Sequence, residues 1–175
     1  MKILAVDQAR HGAWAIFDYE EKKLLAYDSF SFDNRKYKFE QAVLQIETLI
    51  DSVINAHGID AVFIEDIQQR KSVKSFKKLA QLQGVLINLF EKNNFHYGIV
   101  APSQWQNFCG ARGRTEKERK AGKKSKDPDA NKTTKELSIQ RVKELYGVET
   151  ENDNIADAIL IAHYVVNKID LSKEN

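Results

Sequence analysis

Apolar residues follow two rhythms along this chain, and the change from one to the other divides it into elements. The first 32 residues hold short apolar or alternating runs broken by charge. MKILAV predicts a strand, Ala13–Asp18 and Leu24–Phe32 predict two more, and the charged stretch Glu20–Lys22 forms the hairpin turn between them. Gly12 sits where the chain turns back after the first strand. The period then lengthens. Phe39, Val43, Ile46, Ile50, Val53 and His57 recur at four and three, one face of a helix ending before Gly58, with His57 favouring its negative end. IDAVFIE is apolar almost throughout, as a central strand is. A second helix spans about Val73 to Lys92, with Phe76, Leu79, Leu82, Leu86, Leu89 and Phe90 on its apolar side. Gly84 within it predicts close approach of another backbone. FHYGIV gives a fifth strand, and PSQWQNF a helical turn opened by Pro102. Asn131 is a candidate cap for a helix reaching Tyr146 before Gly147, and a last helix runs from about Asn152 to Lys168. Three hairpin-connected strands followed by helix, strand, helix, strand and more helix predict an α/β fold with a mixed sheet.

Composition narrows the class. At 175 residues and 42% hydrophobic, the chain fits one globular domain, 1–175, with a core large enough to need no staple. No apolar run approaches a membrane span, and Asp7 interrupts the first one too early for a signal peptide. The single cysteine, Cys109, excludes an internal disulfide and a Cys-rich zinc site, and suits a reducing cytoplasm. Net charge is only +2, but Arg112 to Lys126 reads RGRTEKERKAGKKSK, eight Lys or Arg against two Glu. That stretch carries +6, so the rest carries −4. A basic insertion, at about 111–131, on a mildly acidic body predicts binding to a polyanion, with a solvated flexible linker as the plainer reading. In such an insertion Arg112, Arg114, Lys117, Arg119, Lys120, Lys123, Lys124 and Lys126 are the phosphate contacts. Trp105 and Phe108 either stack on bases or face the core.

The acids carry the chemistry. Asp7 closes the first strand and Glu65 the fourth, so parallel neighbours would bring both carboxylates to one sheet end, where open α/β sheets bind ligands. In NDNIADAILIAHY, Asp157 lies among apolar residues, with Asp153 and Asn154 one turn before it on a compatible face. Asp153 and Asn154 also suit capping or the helix dipole; Asp157, beyond the first turn, does not. Acids that converge without Lys or Arg repel one another unless cations lie between them. Hard oxygen ligands select Mg²⁺ or Mn²⁺, and two such ions are the standard device for cutting phosphodiesters. Arg10 beside Asp7, and Arg70, Lys71 and Lys74 after Glu65, flank this site as further DNA contacts.

Taken together, the strand-end acid Asp7, VFIEDIQ with Glu65, KLAQLQGV with Gly84, APSQWQNFCG and ADAILIAHY resemble the RuvC-type Holliday junction resolvases of the ribonuclease H-like superfamily, and within them the bacteriophage group with its long basic insertion. The resemblance covers nearly the whole chain. It implies a ribonuclease H-like fold, a five-stranded mixed sheet flanked by helices. It also implies a homodimer through the helix at about 73–92 that grips a four-way DNA junction and nicks two opposed strands, using Mg²⁺ or Mn²⁺. A family lysine at the start of the penultimate helix falls at Lys132; another falls at Gln106, so that basic contact is missing or moved. Pro-Gly-Ser after the first acid is replaced by Gln8-Ala9-Arg10, and an aromatic after the second by Gln68 and Gln69. The family's third ligand position holds Asn154, a neutral amide. Either its carbonyl oxygen binds metal, or Asp153 takes over from i−4, or it replaces a native aspartate. The leading expectation is a structure-selective endonuclease on four-way junctions. The alternatives are a broader nuclease of forks and flaps and a junction binder whose chemistry has lapsed.

Overall fold

The computed structural model describes residues 1–68, 72–114 and 128–171. Its sheet has the order β3-β2-β1-β4-β5, from β1 (Lys2–Asp7), β2 (His11–Asp18), β3 (Lys23–Ser31), β4 (Ala61–Glu65) and β5 (His96–Val100). The hairpin strands β1, β2 and β3 pair antiparallel, whereas β4 pairs parallel with β1 and with β5. The mixed sheet expected from the element order is therefore present.

Side-chain alternation splits the core in two. Ile3, Ala5, Phe17 and Phe63 face one way; Leu4, Val6, Ile16, Val62 and Ile64 face the other. The second face is covered by α1 (Phe39–His57) and α2 (Val73–Lys92), through Ile46, Ile50, Leu82, Leu86 and Phe90. Both helices keep the bounds their periodicity predicts, and α1 ends at Gly58 with φ of 61°. The first face is covered by α3 (Pro102–Cys109), α4 (Thr134–Tyr146) and α5 (Asp153–Lys168), of which α5 crosses β1 and β2. Because Asp7 and Glu65 continue the series 3, 5, 7 and 61, 63, 65, their alternation directs both toward the α5 face.

One sequence expectation needs correction. The cap of α4 is Thr133: its hydroxyl accepts from Glu136 N at 3.3 Å while Glu136 Oε2 accepts from Thr133 N at 2.7 Å. Asn131 instead ends a 3₁₀ turn, Pro128–Asn131. Gly84 is exposed on α2, and a Cβ built there meets nothing within 4 Å among the described residues. The ends of the basic insertion also belong to the body. Ala111 is fully buried, and a Cβ on Gly113 would lie 2.3 Å from Thr134 N, so the chain presses against the start of α4 there.

Gly12 is required by a different contact, one beside the strand-end acid. A Cβ there would stand 2.4 Å from the Asp7 carbonyl oxygen and 2.6 Å from Phe30 Cζ. Gly12→Ala must push β1 and β2 apart at Asp7, at a cost typical of overpacking, about 1–3 kcal/mol. A thermal melt of the variant is expected to show that loss, together with reduced activity at the adjoining site.

Candidate active site

Asp7 and Glu65 end parallel neighbours; the pairing of Val6 with Ile64 leaves them side by side at the carboxyl end of the sheet. The third element is α5. Asn152 caps it through its side chain, which accepts from Asn154 N at 3.0 Å, so the Asp153 carboxylate is not used as the cap. Asp157 follows Asp153 by four residues, one turn further into the helix, between fully buried Ala156 and Ala158.

Electrostatics ties these acids together. The Asp7 carboxyl is held well above the ordinary carboxylate range, first by loss of solvation and then by the charges of Glu65, Asp157 and Asp153. Asp157 is pushed up to about 7, again chiefly by burial, with Glu65 and Asp153 adding to the rise. The fully buried Ser138 lies close enough to offset part of that shift, without forming a well-shaped hydrogen bond. Asp157 Oδ1 is buried with no hydrogen-bond partner among the described residues.

Glu65 is the best-anchored acid. Its Oε1 accepts from Trp105 Nε1 at 2.9 Å, and its backbone carbonyl accepts from Gln8 Nε2 at 2.7 Å. Gln8 is 4% exposed, and its Oε1 is buried and unpartnered among the described residues. The acids are neighbours in charge without forming a closed coordination shell: among the described residues no three His, Cys, Asp or Glu side chains stand ready to hold a metal ion. The donor set nevertheless fits a hard divalent cation. It is all oxygen, two of its carboxyls are strained toward protonation, and one buried oxygen lacks a partner.

Among the described residues, Lys135 brings a cation to these acids. Its ammonium pairs with Asp153, and its charge lowers the pKa of both Asp7 and Asp157. The sequence points instead to Lys132, whose ammonium is held by Asp129 Oδ1 at 2.8 Å and by Gln140 Oε1 at 2.5 Å. Arg141 joins the same Asp129, so Lys132 helps fasten the 3₁₀ turn to α4. Arg10 is also otherwise engaged: its guanidinium donates to the carbonyls of Phe32, Asp33 and Tyr37. Trp105 is fully buried and cannot stack on bases. Phe108 stacks on His163, with the Lys168 ammonium 4.9 Å from its ring centre.

Beside Asp7 and Glu65 a cleft of about 680 Å³ opens toward the first turns of α2, lined there by Ser72, Ser75, Phe76 and Leu79. Lys74 is exposed on that turn, and Arg112 is exposed at the start of the basic insertion, with Arg114 half-buried. Arg70 and Lys71 lie outside the described residues, as do Lys117, Arg119, Lys120, Lys123, Lys124 and Lys126.

Comparison with known proteins agrees with this geometry. A relative from Sulfurovum sp. (strain NBC37-1), named crossover junction endodeoxyribonuclease RuvC, is 25% identical over 99% of this chain and 100% of its own. Thermus thermophilus RuvC, solved in complex with a Holliday junction substrate, superposes with a TM-score of 0.70 at 14% identity, covering 94% of this chain and 91% of that one. The fowlpox virus Holliday junction resolvase superposes with a TM-score of 0.57 at 16% identity, over 97% of this chain and 100% of that one. These structural likenesses establish the fold. The family model described as crossover junction endodeoxyribonuclease RuvC matches residues 3–122, a span that includes Asp7 and Glu65 and stops before α4 and α5. With more than half of its length matched in this way, the chain belongs to the RuvC family, whose members are the endodeoxyribonucleases that resolve Holliday junctions.

Proposed function

We propose that Asp7, Glu65, Asp153 and Asp157 together hold divalent metal, Mg²⁺ or Mn²⁺, as two ions per site, and that a homodimer of this chain nicks opposed strands of a four-way junction. The observation that carries this reading is that parallel β1 and β4 end side by side on Asp7 and Glu65 and that α5 brings a buried Asp157 to the same place, its carboxyl raised to about 7 and its Oδ1 without a hydrogen-bond partner among the described residues. Bound in such a site, divalent ions activate water and stabilise the departing oxygen of the cut strand. The chain supplies the frame. The ends of β1 and β4 fix Asp7 and Glu65, while α5 brings Asp157 and Asp153 down over them. Asp153 carries a negative charge felt at both Asp7 and Asp157, which supports its taking part in the site. Lys135 keeps one positive charge beside these acids, in the place the sequence assigns to Lys132, and can steady a scissile phosphate.

Affinity for DNA would come from phosphate contacts: Lys74 beside the cleft, Arg112, and the basic residues between 115 and 127. Binding that rests on these charges falls steeply with added salt. Dimerisation is supported by α2, where Val73 is 54% exposed and Gly84 presents a bare backbone surface. No helix among the described residues is long and apolar enough to cross a membrane, and a DNA substrate suits the cytoplasm.

The deciding experiment is nicking of a synthetic four-way junction in Mg²⁺ and in Mn²⁺, run beside a fork, a flap and a linear duplex. Paired nicks in the junction, with the linear duplex spared, are the expected result. Equal cutting of forks and flaps would shift the reading to a broader branched-DNA nuclease. Binding without cutting in either metal would sink it.

A further inference from the structure

Trp105 looks like ordinary core. It is fully buried in α3, packed with residues of the sheet and of α5, and it belongs to no charged or exposed patch. Its one polar atom, however, reaches the candidate site: Nε1 donates to Glu65 Oε1 at 2.9 Å. An indole N–H is only a donor, so the sense of this bond is fixed. The helix that carries the buried ring is fixed too. Pro102 opens α3, Gln104 Oε1 accepts from Ala101 N at 3.0 Å, and Gly110 closes the helix at φ of 64°. A donor held this firmly can set the rotation of a carboxylate that accepts from it, and a bond to an ionised acceptor is stronger than a neutral one. Gln8 secures the same residue from behind, through the Glu65 carbonyl.

We propose that Trp105 is a positioning residue for the metal site: by anchoring Oε1, it turns the Glu65 carboxylate into the orientation that ligates a divalent cation. The inference rests on the metal reading above. A Phe or Leu could fill much of the same volume, but neither carries a donor to the acid. Outer partners of metal ligands commonly contribute 10- to 100-fold in metal affinity or activity.

The test counts free Mn²⁺ by electron paramagnetic resonance during titration of the native chain, Trp105→Phe and Glu65→Gln. Trp105→Phe is expected to raise the Mn²⁺ midpoint about tenfold. Its cleavage at saturating Mn²⁺ is expected within a few-fold of native, with junction binding in chelator unchanged. A merely structural role would lower stability and leave the midpoint where it was. A native midpoint in Trp105→Phe overturns the inference, whereas a native midpoint in Glu65→Gln overturns the metal reading on which it stands. A second arm leaves Trp105 in place. The chain has two tryptophans, so in Trp14→Phe, excited at the red edge where its tyrosines do not absorb, Trp105 is the sole emitter. Paramagnetic Mn²⁺ is expected to quench that emission, Mg²⁺ is not, and Glu65→Gln is expected to abolish the quenching. Emission unchanged through saturating Mn²⁺ overturns the inference even where Trp105→Phe fails to fold.

Discussion

Asp7→Asn is expected to bind a four-way junction as tightly as the native chain, or more tightly, and to cut it at least about a thousandfold more slowly. Asp7 is the acid on which the others converge, since Glu65, Asp157 and Asp153 all act on its carboxyl. The amide keeps the shape of the side chain and removes one charge from the ligand set. Metal ions contribute several kcal/mol of transition-state stabilisation, and about 4 kcal/mol corresponds to three decades in rate. Binding should not suffer, because the amide keeps the shape of the side chain and adds no negative charge toward a polyanion. Burst-phase nicking in saturating Mg²⁺ measures the first quantity, and gel-shift affinity in chelator the second. Cleavage within tenfold of native would remove Asp7 from the site.

How far this site was legible depends on which physical rule governs each residue. Asp7 and Glu65 were legible because strand alternation and parallel pairing are rigid: a period of two and a common sheet end fix where both acids emerge. Asp157 was legible because an acid among Ile, Ala and Leu beyond the first turn of a helix has no capping role. The bounds of α1 and α2 followed from strong periodicity and, for α1, a glycine stop. Basic side chains were not legible in the same way. The helix start moved from Asn131 to Thr133, which left Lys132 in the preceding turn and put Lys135 in the first turn of α4. Two residues of slip are enough to change which lysine lies beside the acids. Arg10 is drawn away from the acids for a related reason, since a long guanidinium is held equally well by three backbone carbonyls. The spacing of Trp105 implied core packing, but not the direction of its N–H; that depends on one ring angle set by neighbours distant in sequence. A signal was present in retrospect: a Trp five residues after a strand that pairs with β4 is well placed to reach the acid at the end of β4.

Asp157→Asn is expected to abolish cleavage while making the chain more stable in chelator at pH 8. Burial raises this carboxyl from an ordinary 3.8 to about 7. A raised carboxyl favours the folded state only while protonated. Its penalty is absent below about pH 4, grows as pH rises from 3.8 toward 7, and is complete above that. A gap of about three pH units at about 1.4 kcal/mol each sets an upper bound near 4 kcal/mol. Asp7 acts in the same direction. In chelator the native chain should therefore melt higher near pH 5 than at pH 8. Further acid reverses the trend as carboxylates stabilised by partners, such as Asp129 held by Lys132, become protonated. Asn at position 157 removes the pH-dependent penalty but places an amide where Oδ1 already lacks a partner, so a net gain of about 2 kcal/mol at pH 8 is expected rather than the full amount. Mg²⁺ should stabilise the native chain more at pH 8 than at pH 5, because the ion binds the ionised form, and should do far less for Asp157→Asn. Thermal melts of both chains at the two pH values, with and without Mg²⁺, read all of these together. Were Asp157→Asn less stable than native at pH 8 in chelator, the carboxylate would have to be held by a protein partner instead of awaiting a cation.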